Sequence, residues 1–192
     1  MKRILTKTLL TLAALCGMSA ALAHEASFMS ARLSSAQEGE SPGLYLSAVV
    51  DFDFPRNLEE ALLHGTPLYF VYEFHLERVR WYWVDKDLGS AKMVMRLSYS
   101  PLTRRFRLSQ GGLAMSFDSL KEALDTLKVV SSWHVSDEAY LSNPDDYSAQ
   151  ARFSLDTQRF PLPLQVNIGT EDWELQTDWT DIELGADVRK KE

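Results

Sequence analysis

From Leu44 to Phe54 the chain alternates without a break. Leu44, Leu46, Ala48, Val50, Phe52 and Phe54 share one parity, and Tyr45, Ser47, Val49, Asp51 and Asp53 share the other. A period of two sends successive side chains to opposite faces of a pleated strand, so this segment reads as a strand with one face on a core. The pattern recurs after Pro67. Leu68, Phe70, Tyr72, Phe74 and Leu76 form an apolar face, opposite Tyr69, Val71, Glu73, His75, Glu77 and Val79, and the strand is expected to continue through Trp81 and Trp83. Met93 to Tyr99, Phe106 to Leu108, Leu113 to Phe117, Trp133 to Val135, Tyr147 to Leu155 and Leu164 to Ile168 repeat it. One more short strand is expected near Ala26 to Leu33.

Between these runs lie turn residues. Asp85 to Gly89 reads as a turn, and so does Ser100-Pro101-Leu102-Thr103, with Pro101 suited to the first central position. Only two segments carry a helical period. Leu58, Ala61 and Leu62 follow Asn57 as a candidate cap, and Gly65 ends them. Ser119 with Glu122 makes a capping box ahead of Leu120, Ala123, Leu124 and Leu127. The expected helices lie near 57–64 and 119–130. No strand–helix–strand alternation appears, so the expected fold is mostly β (α+β). It is an antiparallel sandwich or open barrel of about eight or nine strands with two short helices.

The N-terminus follows a different logic. Lys2, Arg3 and Lys7 precede an apolar run from Leu9 to Ala20, and Ala21-Leu22-Ala23 has the small-residue spacing of a cleavage site. Residues 1–23 are therefore expected to be a cleavable export signal, followed by a polar leader at 24–42, one β-rich domain at 43–184 and a polar tail at 185–192. The run is short for a bilayer span, which needs about 20 apolar residues. The sole cysteine, Cys16, lies inside it. Cleavage would leave a chain without disulfide or thiol chemistry. It would also remove three basic residues and no acidic one, moving the net charge from −7 to −10. An acidic surface of that size disfavours nucleic acid, and stable membrane insertion after cleavage is not expected.

Candidate chemistry is sparse. After cleavage His24 would be the new terminus, and its amine and imidazole nitrogens suit Cu(II), with His64, His75 or His134 as a further ligand. Glu73, His75 and Glu77 share one strand face and could serve as a metal or proton-transfer site, although such a row is also the ordinary solvated face of a sheet. Asp51 and Asp53 are paired carboxylates, expected to meet arginines or caps. Trp81 and Trp83, near Arg78 and Arg80, offer an aromatic binding surface, with Tyr82 on the opposite face. No nucleophile elbow, zinc-protease helix, phosphate loop or dinucleotide fingerprint is present. No cofactor is implied.

Several strings together resemble the domain-of-unknown-function 4390 family of exported proteins of Gram-negative bacteria. They are Asp51-Phe52-Asp53-Phe54, Leu58 to Leu62, Gly65-x-Pro67-Leu68-Tyr69-Phe70, Glu73-Phe74, Arg80-Trp81-Tyr82-Trp83, Leu97-Ser98-Tyr99-x-Pro101-Leu102-Thr103, Gly111-Gly112-Leu113, and Trp173 with Trp179. The strings hold packing and turn residues more than acid–base groups, so the resemblance implies a non-enzyme. Genes of that family often lie beside a two-component sensor kinase, which implies an envelope protein such as a membrane sensor kinase as partner. The expectation is thus a periplasmic, non-catalytic binding or protein-interaction module. The alternative is a periplasmic copper or small-ligand binder, and a carboxylate-based hydrolase stands behind both.

Overall fold

Leu68, Phe70, Tyr72, Phe74 and Leu76 lose all solvent contact in the folded chain, as their shared parity requires. The computed structural model describes residues 26–78, 86–138, 140–161 and 173–188. Among these, the order is β1 (Ser27–Ser35), β2 (Leu44–Asp51), α1 (Arg56–Leu63), β3 (Leu68–Arg78), β4 (Lys86–Ser100), β5 (Arg105–Gln110), β6 (Leu113–Phe117), α2 (Leu120–Leu127), β7 (Val129–Ser136), β8 (Tyr147–Leu155), β9 (Thr180–Asp181) and β10 (Glu183–Leu184). Short 3-10 turns at Pro144–Asp146 and Thr157–Arg159 lie in the connections, and another at Ala186–Val188 follows β10.

The strands build two sheets. One has four strands in the order β10-β1-β2-β7, and the other has six in the order β6-β5-β4-β3-β8-β9. Every pairing is antiparallel except that of β1 with β10. The sheets face each other as a sandwich and, among the described residues, do not close into a barrel. The protein is mostly β, and the described residues hold two short helices and ten strands, two of them of only two residues.

Two buried clusters fill the space between the sheets. The larger joins Val50, Phe52 and Val130 from the four-strand side to Phe70, Tyr72, Met93, Met95 and Phe153 from the six-strand side. Its centre is aromatic. Phe153 lies 5.4 Å from Phe52, 5.9 Å from Phe70 and 4.9 Å from Tyr72, ring centre to ring centre. The Tyr72 hydroxyl donates to the Leu127 carbonyl at 3.0 Å, so this polar atom enters the core satisfied. Burial pushes its phenol pKa up. The smaller cluster packs Leu33, Leu46 and Val135 against Phe74, Leu76 and Ala149.

The capping box starts α2 as expected, with the Glu122 amide donating to Ser119 Oγ at 3.2 Å. The helix ends at Leu127, before the expected residue 130, because Val129 already pairs with Val49 in the sheet. The first helix begins one residue early, at Arg56. Its cap is Pro55, whose carbonyl accepts from the amides of Leu58 and Glu59, and Asn57 lies inside the first turn.

The structure corrects three further expectations. Lys86 to Gly89 are not a turn: β4 already runs there, because β3 extends to Arg78 and pairs with Lys86. A register shift beside Gly89, whose φ is +151°, absorbs the extra residue. Val71 belongs to the outer face of β3 by parity yet is buried. The strand expected over Leu113 to Phe117 is β6, on which Leu113 and Met115 remain exposed. Ala186–Val188, expected as part of a polar tail, form a 3-10 turn with Val188 fully buried. The amide of Leu141 donates to the Val188 carbonyl and that of Gly185 to Leu33. The strand expected near Ala26 to Leu33 is β1, which lies between β10 and β2. The expected runs through Trp81 and Trp83 and through Leu164 to Ile168 lie outside the described residues.

Candidate functional site

Outward-facing residues of β3 alternate with its buried ones, so Glu73, His75 and Glu77 stand in a row on the outer surface of the six-strand sheet. Register decides what they meet. Glu73 sits between Lys92 on β4 and Arg152 on β8, and His75 sits between Ser90 and Gln150. Arg152 donates to Glu73 Oε2 through Nε at 3.0 Å and through Nη2 at 2.6 Å. Lys92 Nζ reaches Oε1 at 3.5 Å. Partial burial pushes the Glu73 carboxyl up, but Arg152 and then Lys92 outweigh it, so the net shift is below the ordinary 4.5.

Trp179 lies across this row. Its ring is 4.9 Å from the Arg152 guanidinium and meets the His75 imidazole edge-on at 5.4 Å. His75 Nδ1 is buried and has no hydrogen-bond partner among the described residues. The cleft between Glu73, His75, Lys92 and Trp179 holds about 170 Å3. That is below the roughly 300 Å3 at which small-molecule pockets begin.

The row thus has a structural use. A carboxylate already held by two cations is a poor general base, and Glu77 makes no ion pair among the described residues. No group of three His, Cys, Asp or Glu side chains converges as a metal site among the described residues. His64 caps α1 through the Glu60 carbonyl, and His134 meets Tyr45 edge-on in the other sheet, so His64, His75 and His134 occupy separate surfaces. His24, Trp81 and Trp83 lie outside the described residues. Asp51 meets a lysine and not an arginine: Lys128 Nζ bonds its carboxylate at 2.8 Å and the Phe52 carbonyl at 2.8 Å. Lys128, first by that hydrogen bond and then by its charge, lowers the Asp51 pKa.

The Glu73–Arg152 pair carries a prediction. Glu73→Gln keeps the shape and removes the charge, and is expected to cost about 1–2 kcal/mol at neutral pH. A carboxyl with a lowered folded-state pKa contributes stability above its ordinary pKa and loses it as pH falls through the folded value. The gap between wild type and variant should therefore narrow below pH 4.5. Urea unfolding at neutral and acidic pH measures it, and a gap that ignores pH contradicts the ion pair.

A second surface was not legible in the residue pattern. On the side away from β10 and β9 the sheets part. There α2 bridges β6 to β7, and a cleft of about 280 Å3 opens between Met95, Leu108, Leu113, Met115, Thr126 and Val129. Three of its apolar side chains are largely in solvent: Leu113 at 79%, Met115 at 51% and Val129 at 46% exposure. A second hollow of about 190 Å3 shares Met95, Gln110 and Val129 with it and continues along β7. The available signal was Leu113 and Met115 themselves, apolar residues on a short strand whose sheet position only the topology supplies.

No helix among the described residues is long and apolar enough to cross a membrane. Neither a curated protein nor a solved structure matches the chain. The model of one family, described as Domain of unknown function (DUF4390), matches residues 23–183, and the chain belongs to that family.

Proposed function

We propose that this chain is an exported, non-catalytic module that binds another protein of the bacterial envelope. The observation that carries the reading is the parted side of the sandwich, where Leu113, Met115 and Val129 stay exposed over an apolar cleft. Contiguous exposed apolar surface marks interaction sites more often than chance contacts. The polar row on β3 supports the same reading from the other side, since Glu73, Lys92 and Arg152 satisfy one another. The basic start, apolar run and Ala21-Leu22-Ala23 spacing within residues 1–23 support export to the periplasm, and the family resemblance supports a membrane sensor as the partner.

Two measurements test this together. N-terminal sequencing of protein from the envelope fraction should read His24-Glu25-Ala26. A photo-crosslinking residue at position 113 or 115 should capture one envelope protein in living cells, while the same residue at exposed Met29 on β1 should capture none. An uncleaved N-terminus would remove the compartment, and an absence of any crosslinked partner from positions 113 and 115 would remove the binding role.

A further inference from the structure

From Leu88 to Phe117 the chain has five basic residues and no acidic one, while all 27 acidic residues lie elsewhere. This stretch is the β4–β5–β6 meander from the third residue of β4 onward, beyond Asp87, so an acidic protein carries one cationic wing. On the outer face of the wing Arg96 and Arg107 are exposed and make no ion pair among the described residues. Arg105 is held by Asp118 at 3.0 Å.

Among the described residues β6 ends the sheet on this side. Natural edges are blunted by charge, proline or a bulge. β6 has none of these: Leu113-Ala114-Met115-Ser116-Phe117 is uncharged and pairs with β5 in unbroken register. The other edge on this side, β7, is irregular, with a register shift between Leu46 and Ala48 and a φ of +47° at Ser132. The two-residue turn at Gly111-Gly112 makes Gln110–Leu113 a hydrogen-bonded pair. Alternation then turns the backbone groups of Ala114 and Ser116 to the open side.

We propose that β6 is a docking edge for an extended polypeptide segment whose side chains alternate between acidic and apolar. This rests on the reading of the chain as a protein-binding module. Such a segment would bond the free backbone groups of Ala114 and Ser116 and extend the sheet. Its apolar side chains would cover Leu113 and Met115 and enter the cleft toward Val129. Its acidic side chains would fall on the opposite face. Ala114 and Ser116 are short there, so the Arg107 guanidinium can reach across β6 to a carboxylate about two strand spacings, roughly 10 Å, away. A second copy of the chain is disfavoured as occupant, because β6 carries no acidic side chain to answer Arg107.

The test uses the purified chain and two short synthetic peptides, one alternating glutamate with valine and isoleucine, the other with lysine in place of glutamate. The acidic peptide should bind at least about tenfold more tightly, and added salt should weaken it. Arg107→Glu should cut its affinity about fivefold and raise that of the lysine peptide. The amides of Ala114 and Ser116 should exchange more slowly when the acidic peptide is bound. Equal binding of both peptides, no change at those amides, or a concentration-dependent dimer through β6 each overturns the proposal. If the peptides fail while position 113 still crosslinks to an envelope protein, the strand-addition inference falls and the binding role stands. If neither occurs, both fall.

Discussion

Phe153→Ala is expected to lower folding stability by about 3–5 kcal/mol, enough to consume a large share of a typical domain's margin. Phe153 is fully buried on β8, and its ring touches partners from both sheets. Phe52 follows β2 of the four-strand sheet, whereas Phe70 and Tyr72 belong to β3 of the six-strand sheet. Removing the ring therefore opens a cavity where the two sheets meet through aromatic contacts. The backbone around it is pinned: the Phe153 amide donates to Thr177 Oγ1 at 3.0 Å, and its carbonyl accepts from the Thr177 amide at 2.8 Å. Collapse into the cavity is thereby limited, which places the cost toward the upper end. Phe153→Leu keeps most of the volume and should cost about 1–1.5 kcal/mol. Urea unfolding of both variants reads the difference, with the slope on denaturant unchanged. A near-neutral Phe153→Ala would mean that the two sheets do not pack through this cluster.

Much of that core was legible in the sequence, and the reason is periodicity. The parities of β2, β3 and β8 each name an inner face correctly, because one buried face forces one apolar parity. The Ser119–Glu122 box marks the start of α2 for a similarly local reason. What periodicity lacks is the neighbour across the sheet. Glu73 and Arg152 are 79 residues apart, so their pairing follows from strand order, which no local pattern encodes. The same holds for Trp179 over His75. Asp85 to Gly89 has turn composition, but pairing with the end of β3 overrode it from Lys86 onward. Leu113 and Met115 look like core residues, since the pattern cannot say that β6 lies at an edge with no sheet opposite it. The charge of the wing was in plain view along the chain, yet its meaning depends on β4, β5 and β6 being adjacent.

Gly43→Ala is expected to cost roughly 2–4 kcal/mol, through a close approach that the sequence does not announce. Gly43 precedes β2 with φ at +156°, and a Cβ there would lie 2.6 Å from the Ser136 carbonyl oxygen and collide with the His134 ring. Neither neighbour yields cheaply. Ser136 is fixed by its pairing with Leu44, and the His134 ring is edge-on to Tyr45 at 5.1 Å. Tyr45 is itself tied by its hydroxyl, which donates to the Ser41 carbonyl at 2.8 Å. Gly39 supplies the control. Its φ is also positive, at +93°, but nothing lies within 4 Å of an added Cβ, so Gly39→Ala should cost only about 1 kcal/mol. The difference between the two variants isolates the contact from the backbone strain, and equal costs would deny the contact. The Gly43 lesion falls at the Ser136 end of β7, the end opposite Val129 and the apolar cleft. A folded Gly43→Ala protein should therefore bind the acidic peptide as tightly as wild type, while Arg107→Glu should bind it less well at full stability. That crossing of effects separates what holds the sandwich together from what its open edge is for.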